Sequence, residues 1–455
     1  MKKKLEFKEI LLVGSLLFGL FFGAGNIIFP LELGQGSASN LRPVTLGFLA
    51  TGVGLPILGV IAAALSESES LFDLAKPAGK KFAYFFTVLL YLTIGPGFAI
   101  PRTSTVSYEV GPKGFIGGNE SLSLLVFSLI FFSLALYFSL KKGNLIDTIG
   151  KFMTPIFLIL LAIIAILGIV KPMGPIDLVS PSEKYMSSPF TVGAIDGYNT
   201  LDAPASLAFA VLIISAIKKL GVNETKDIGR ETLKSGLVCL LGMSLVYTSL
   251  SYLGASSNAI MQRGDNGAII LAKISSHYLG EFGHLLLAAI VFIACLKTAI
   301  GLISACSEMF SEILSFDISY KKYCLIFSIL SFLIANLGLA KIIGLSIPVL
   351  MFLYPLSIVL TFLAMLSIKM GKRASVYKWT LALTGIAAFF DFLKNLPEII
   401  SKSEAIVNFL KLPSNFLPGF DLGFGWMLPA LIGFIIGILI DKSKNKSKVI
   451  YASGK

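Results

Sequence analysis

Apolar residues run along this chain in long blocks separated by short polar segments. Windows of about 19 apolar residues, the length that spans hydrocarbon as a helix, fall near residues 10–30, 43–65, 82–101, 121–140, 152–170, 192–217, 235–256, 284–307, 323–340, 342–368, 378–393 and 424–441. The pattern predicts twelve transmembrane helices. The eleventh window is the shortest. The intervening stretches near 102–120, 171–191, 257–283 and 394–423 carry Gly, Pro and Ser, which suits loops holding short re-entrant or interfacial helices.

Two windows are interrupted. In the first, Gly23-Ala24-Gly25-Asn26 stands within an uncharged run from Ile10 to Pro30. Glycine favours departure from the helix. A break at this depth needs protein, water or ligand to satisfy its backbone groups. It reads either as a binding site or as a kink at a close helix contact. In the sixth window, Asp196-Gly197-Tyr198-Asn199-Thr200-Leu201-Asp202-Ala203-Pro204 precedes the apolar run Leu207–Ile217. It reads either as a second discontinuous helix or as a loop before a span starting at Ala205.

Spacing adds weight to the first reading of each. Residues 10–170 and 192–368 form two blocks of five spans, each opening on an interrupted helix. An odd number of spans per block inserts the second block upside down, which is the mark of an inverted repeat. Spans near 378–441 would be accessory, and the whole chain, 1–455, one integral membrane domain.

Composition agrees: 55% of the 455 residues are hydrophobic and 14% charged, against about a quarter charged in soluble chains. The net charge of +12 reflects topology. With the N-terminus inside, 26 of the 38 Lys and Arg fall in inside segments and 11 outside, leaving Lys297 within a span. This predicts cytoplasmic N- and C-termini in a multi-pass plasma (inner) membrane protein, and leaves no nucleic-acid role. The first span, too long for a signal peptide and followed by no cleavage pattern, is expected to be retained. Cys239, Cys295, Cys306 and Cys324 lie in apolar segments without metal or redox spacing. His277 and His284 have no carboxylate pattern nearby, and Gly52-Val53-Gly54 sits in an apolar span with no preceding strand. Neither a catalytic metal site nor a nucleotide loop follows, so the chain reads as a non-enzyme without a cofactor.

Opposed half-helix ends suit a zwitterion. An N-terminus attracts a carboxylate, while a C-terminus and unwound carbonyls attract an ammonium or small cation. An α-amino acid carries both groups on adjacent atoms. Phe21, Phe22, Ile27, Ile28 and Phe29 around the break would suit an apolar side chain.

Single polar residues add candidates. Lys297 lies mid-span beside Ala294, where a lysine costs about 2.5–3.5 kcal/mol to insert. It reads either as a proton carrier or cation substitute, or as a lysine paired with a carboxylate or reaching into a cavity. Arg102 and Glu109 form either an outer gate or an interfacial arginine and a solvated loop. Asp196 and Asp202 either close a gate or cap the half-helix beginning near Ala203. Trp379 and Trp426 read as interfacial anchors.

Phe18-Gly-Leu-Phe-Phe-Gly-Ala-Gly-Asn-Ile-Ile-Phe-Pro30, Gly95-Pro-Gly-Phe-Ala-Ile-Pro-Arg-Thr-Ser-Thr-Val-Ser-Tyr-Glu109, Gly197–Phe209 and Cys295–Glu308 resemble the bacterial branched-chain amino acid carriers, transport system II, the branched-chain amino acid:cation symporter family of the amino acid–polyamine–organocation superfamily. The resemblance implies a twelve-helix, leucine-transporter-like fold of five plus five inverted helices with two accessory helices. It implies uptake of leucine, isoleucine and valine coupled to sodium or protons. By the same resemblance Gly23, Ala24, Gly25 and Asn26 contact the substrate carboxylate or an adjacent ion, and Tyr198, Asn199 and Thr200 face them. A sodium ion would take carbonyls of Gly19 and Phe22 and the Thr298 hydroxyl. Lys297 departs from the family pattern beside it, where its ammonium could replace that ion.

Overall fold

The computed structural model describes residues 4–453 except 67, 69, 115–118, 142–144, 264–266 and 315–316, and among these the chain is helical with no strand. The first half holds α1 (Phe7–Phe21), α2 (Ala24–Ser37), α3 (Leu41–Leu49), α4 (Leu55–Leu65), α5 (Leu71–Ala75), α6 (Lys80–Leu92), α7 (Ala99–Val110), α8 (Glu120–Ser139) and α9 (Thr154–Val170). The rest holds α10 (Pro189–Asp196), α11 (Asp202–Lys219), α12 (Thr225–Ser256), α13 (Gly267–Leu279), α14 (Glu281–Ile313), α15 (Tyr320–Ala335), α16 (Leu339–Met370), α17 (Ala374–Lys394), α18 (Glu398–Ser401), α19 (Glu404–Phe416) and α20 (Met427–Ser453).

Helix occupies each window expected from the sequence, yet fewer than twelve elements qualify as spans by themselves. Eight described helices are long and apolar enough to cross a membrane, or nine if one bent pair counts as a single span. Two causes are visible. α1 and α15 have only 15 and 16 residues, short of the roughly 20 that cross hydrocarbon unaided. The run Gly25–Leu65 is near-continuous helix over 41 residues and merges two windows.

The third span differs from its sequence reading. It was expected to end at 101, with 102–120 as loop. Instead α7 carries the helix on to Val110, after a break at Thr93–Gly97 in which Gly95 takes φ −87°, ψ −127°. A side chain at Gly95 would meet the Cys306 sulfur on α14 at 2.7 Å, so this break packs directly on that helix.

Glycines bring the broken helices against their neighbours. A Cβ at Gly34 of α2 would overlap the Ser251 backbone of α12, and one at Gly254 would overlap the Leu31 carbonyl. α10 meets α3 in the same way, through Gly193 against Val44 and Gly47 against Phe190. With no water to expel, such close backbone approach is how helices associate in lipid. Helices α8 and α9 turn Leu125, Leu129, Ile159 and Ile166 outward, as a lipid-facing surface requires. Trp379 is partly exposed but Trp426 is buried, so only the former can act as an interfacial anchor.

Candidate functional site

Both predicted interruptions are breaks in helical spans. α1 stops at Phe22 (φ −74°, ψ 86°), Gly23 is extended (φ −108°, ψ −157°) and α2 begins. Across from it, α10 and α11 are joined by Gly197–Thr200 and by Leu201 in the left-handed region (φ 68°, ψ 6°), with a bend of 47°. Gly197 lies against Thr51 and Gly52, where any Cβ would collide.

Asn26 ties the two breaks together. Its Oδ1 accepts the Gly23 N–H at 3.0 Å, meeting one of the orphan donors of the α2 N-terminus. Its Nδ2 donates to the Asp202 carboxylate at 2.5 Å and to the Tyr247 hydroxyl. The Tyr247 hydroxyl in turn donates to Asp202 at 3.2 Å. All three side chains are buried. Asp202 is thus not an N-cap: Leu201 holds the cap position and makes no side-chain cap bond. Asp196 ends α10, accepting from Lys184 Nζ at 2.6 Å and the Tyr185 hydroxyl at 2.7 Å.

The end of α1 presents its carbonyls to Lys297. Nζ donates to Gly19 O at 3.0 Å and to Phe22 O at 2.5 Å, and the side chain is fully buried. Three rings surround the amine: Phe157 at 4.7 Å, Phe22 at 5.7 Å and Phe18 at 5.8 Å from ring centre. An ammonium at a helix C-terminus and over aromatic faces is favoured on both counts. Among the described residues no carboxylate pairs with it. The two carbonyls expected to hold a sodium ion therefore carry the lysine instead. Thr298 donates to Leu20 O at 3.4 Å, and Ala294 is buried one turn before it.

A small cavity of about 30 Å³ opens between the breaks, lined by Gly23, Gly25, Asn26, Thr200, Asp202 and Thr298 together with Arg102 and the apolar Phe21, Ile94, Phe209 and Leu302. That is room for a water or two. A larger cavity of about 340 Å³ adjoins it, sharing Gly25 and Arg102 and extending to Glu32, Glu109 and Ile343. On the side of the α1 N-terminus, a space of only about 40 Å³ lies among Leu16, Ser215, Lys219 and Glu308.

Some expected site residues stand elsewhere. The Tyr198 ring stacks on Tyr354 of α16 at 4.2 Å, and neither it nor the Asn199 side chain lines the small cavity. Asn199 contributes its carbonyl, which accepts from Arg102 at 3.4 and 3.5 Å. Arg102 and Glu109 do not pair. Glu109 bonds Lys113 at 2.9 Å, and Lys113 also pairs with Glu120 at 2.7 Å. Those carboxylates, Glu120 first, hold the Lys113 ammonium above the ordinary lysine range. Tyr247 and Phe157 were missed in the sequence. A hydroxyl midway through the apolar 235–256 window was the signal for Tyr247; nothing local marked Phe157 among many phenylalanines.

The fold of this membrane-spanning chain has counterparts among solved structures. The inward-facing structure of Mhp1 superposes with a TM-score of 0.61 at 11% identity, covering 95% of this chain and 91% of that one. Mhp1 in a closed conformation with bromovinylhydantoin bound, described as a nucleobase-cation-symport-1 family transporter, gives 0.58 at 14% identity, covering 95% and 93%.

Sequence narrows the class. Residues 6–444 match the family described as "Branched-chain amino acid transport protein", and the chain belongs to it. Similar proteins include the branched-chain amino acid permease BrnQ of Lactobacillus delbrueckii subsp. lactis, 44% identical over 96% of this chain and 97% of that one. The permease BraB of Bacillus subtilis is 42% identical over 98% and 99%. The branched-chain amino acid transport system 2 carrier protein of Pseudomonas aeruginosa is 37% identical over 97% and 98%. The chain is an integral membrane transporter and not an enzyme.

Proposed function

We propose that this protein imports leucine, isoleucine and valine by alternating access, with a proton as the coupling cation. Substrate binds where the α1–α2 and α10–α11 breaks face each other. The blocks 10–170 and 192–368 act as inverted repeats, with both termini in the cytoplasm of a plasma-membrane protein. The family and its permease relatives support the substrate class. Apolar walls of Phe21, Ile94, Phe209 and Leu302 suit a branched aliphatic side chain.

One observation carries the coupling reading: Lys297 Nζ sits on the carbonyls of Gly19 and Phe22. A protonated amine there bridges α14 to the end of α1, as a bound cation would. Loss of the proton removes the charge from the carbonyls and rings and frees α1 to move against α14. A sodium ion and this amine compete for the same oxygens.

Purified protein in liposomes tests the reading. An inward proton gradient should drive labelled leucine uptake, and replacing sodium should leave the rate unchanged. Excess isoleucine or valine should block uptake, whereas lysine or glutamate should not. Lys297→Thr should abolish the response to the proton gradient. Equal dependence of wild type and Lys297→Thr on sodium would defeat the lysine reading and return the coupling role to sodium.

A further inference from the structure

Arg102 stands out because its charge is buried and poorly used. It is 8% exposed, within a membrane span, where an arginine costs about 2.5–3.5 kcal/mol at the helix centre. Guanidinium offers five N–H donors. Among the described residues they reach only the Asn199 carbonyl, at 3.4 and 3.5 Å, long for such bonds. The group also lies 5.5 Å over the Phe29 ring, which leaves the donors unspent.

Its position is particular. Arg102 borders both the small cavity between the breaks and the larger one beside it. It rests on the first turn of α2: a Cβ at Gly25 would meet its Nη2 at 2.6 Å. The positive end of the α2 dipole and the guanidinium therefore face one space. Asp202 lines the same small cavity, yet no ion pair within 4.0 Å joins the two among the described residues. A guanidinium and a carboxyl group buried around one cavity without touching leave room for a group that bridges them. A zwitterion bridges them.

We infer that Arg102 receives the substrate's carboxylate, taking it with the paired N–H fork of its guanidinium as the substrate passes from the larger cavity toward the breaks. This rests on the amino-acid transport reading and adds a selectivity element to it. A carboxylate matches the fork in two parallel charge-assisted bonds, replacing the long bonds to Asn199. Release of Asn199 frees the α10–α11 turn, so carboxylate capture is felt at the second break. Lysine, a point charge on a flexible stem, reproduces the charge without the fork.

The test compares leucine with leucinol, in which the carboxylate is a hydroxymethyl group, as competitors of labelled leucine binding and uptake by the full-length protein in liposomes. Wild type should prefer leucine by about 100-fold or more, since a site built for a polar group rejects the analogue lacking it. In Arg102→Gln the ratio should collapse below about 10-fold, through loss of leucine affinity rather than gain of leucinol affinity. Arg102→Lys should fall between. A purely structural role would lower both affinities together and keep the ratio. An unchanged ratio in Arg102→Gln overturns the inference; if that variant fails to fold, an unchanged ratio in Arg102→Lys does so. Wild type that ignores leucine altogether would instead sink the transport reading.

Discussion

Asn26 and Asp202 lie 176 residues apart in the chain and share a 2.5 Å hydrogen bond in the buried space between two interrupted helices. Each belongs to the first turn of the helix that follows its break. The bond therefore fixes the distance between the two half-helix starts, and Tyr247 on α12 seals it from the third side.

This pair should behave as a unit. Asn26→Ala and Asp202→Ala should each lower leucine kcat/KM by about tenfold or more, as expected when a buried hydrogen-bond partner is left unsatisfied at about 1–3 kcal/mol. The double variant should be little worse than the poorer single one. A double-mutant cycle on uptake measures this, and full additivity would show that the two act separately.

The contact of α2 with α12 should tolerate no added carbon. Gly34→Ala drives a methyl into the Ser251 backbone, and Gly254→Ala drives one into the Leu31 carbonyl. Backbone cannot rotate away as a side chain can. Each change should destabilise by about 1–3 kcal/mol or more, read as a lower melting temperature in detergent. Gly344→Ala, where nothing lies within 4 Å of the added carbon, is the control and should melt like wild type.

Tyr185, in the segment before the sixth span, donates to the Asp196 carboxylate of α10 at 2.7 Å. Burial first, and then the Asp196 carboxylate, raises the affinity of this hydroxyl for its proton. Folded affinity above the unfolded value means that the stabilisation is whole below about pH 10, the ordinary tyrosine value, and is lost as pH rises through the higher folded value. Between pH 6 and 9 the loss in Tyr185→Phe should thus be constant, at about 1–3 kcal/mol. Melting curves at several pH values check this, and a loss that varies with pH in that range would contradict it.

Leu201 holds a backbone that suits glycine, with φ at 68°. Leu201→Gly relieves this strain but removes a side chain that is 4% exposed, so the net change should be a loss of about 2–5 kcal/mol. Leu201→Pro fixes φ near −65° and should abolish uptake with loss of folded protein. Expression and thermal stability of the two variants separate these outcomes.

Local chemistry made part of this protein legible from its sequence. Apolar runs too long for anything but lipid, with Gly23, Gly25, Gly197 and Pro204 set inside them, marked the membrane class and the two breaks, because helix propensity and the need to bond every buried amide act within a few residues. Lys297 was conspicuous for the same local reason. The break at Gly95–Gly97 lies inside the 82–101 window. Ending that window at the first charged residue, Arg102, put the break near its end, where it read as the end of a span rather than as an interruption.

Tertiary structure decided everything that depends on which helix faces which. Glu109 turned to Lys113, four residues away, instead of Arg102. Tyr198 turned to Tyr354, and Asp202 turned to Asn26 and Tyr247. The resemblance to known carriers named the Gly19 and Phe22 carbonyls as a cation site, but only the register of α14 against α1 brought the Lys297 amine onto them. Such pairings follow from the rotation and depth at which glycine-lined helices lock together. The sequence lists the groups that need partners; the packing of distant segments selects the partner each one receives.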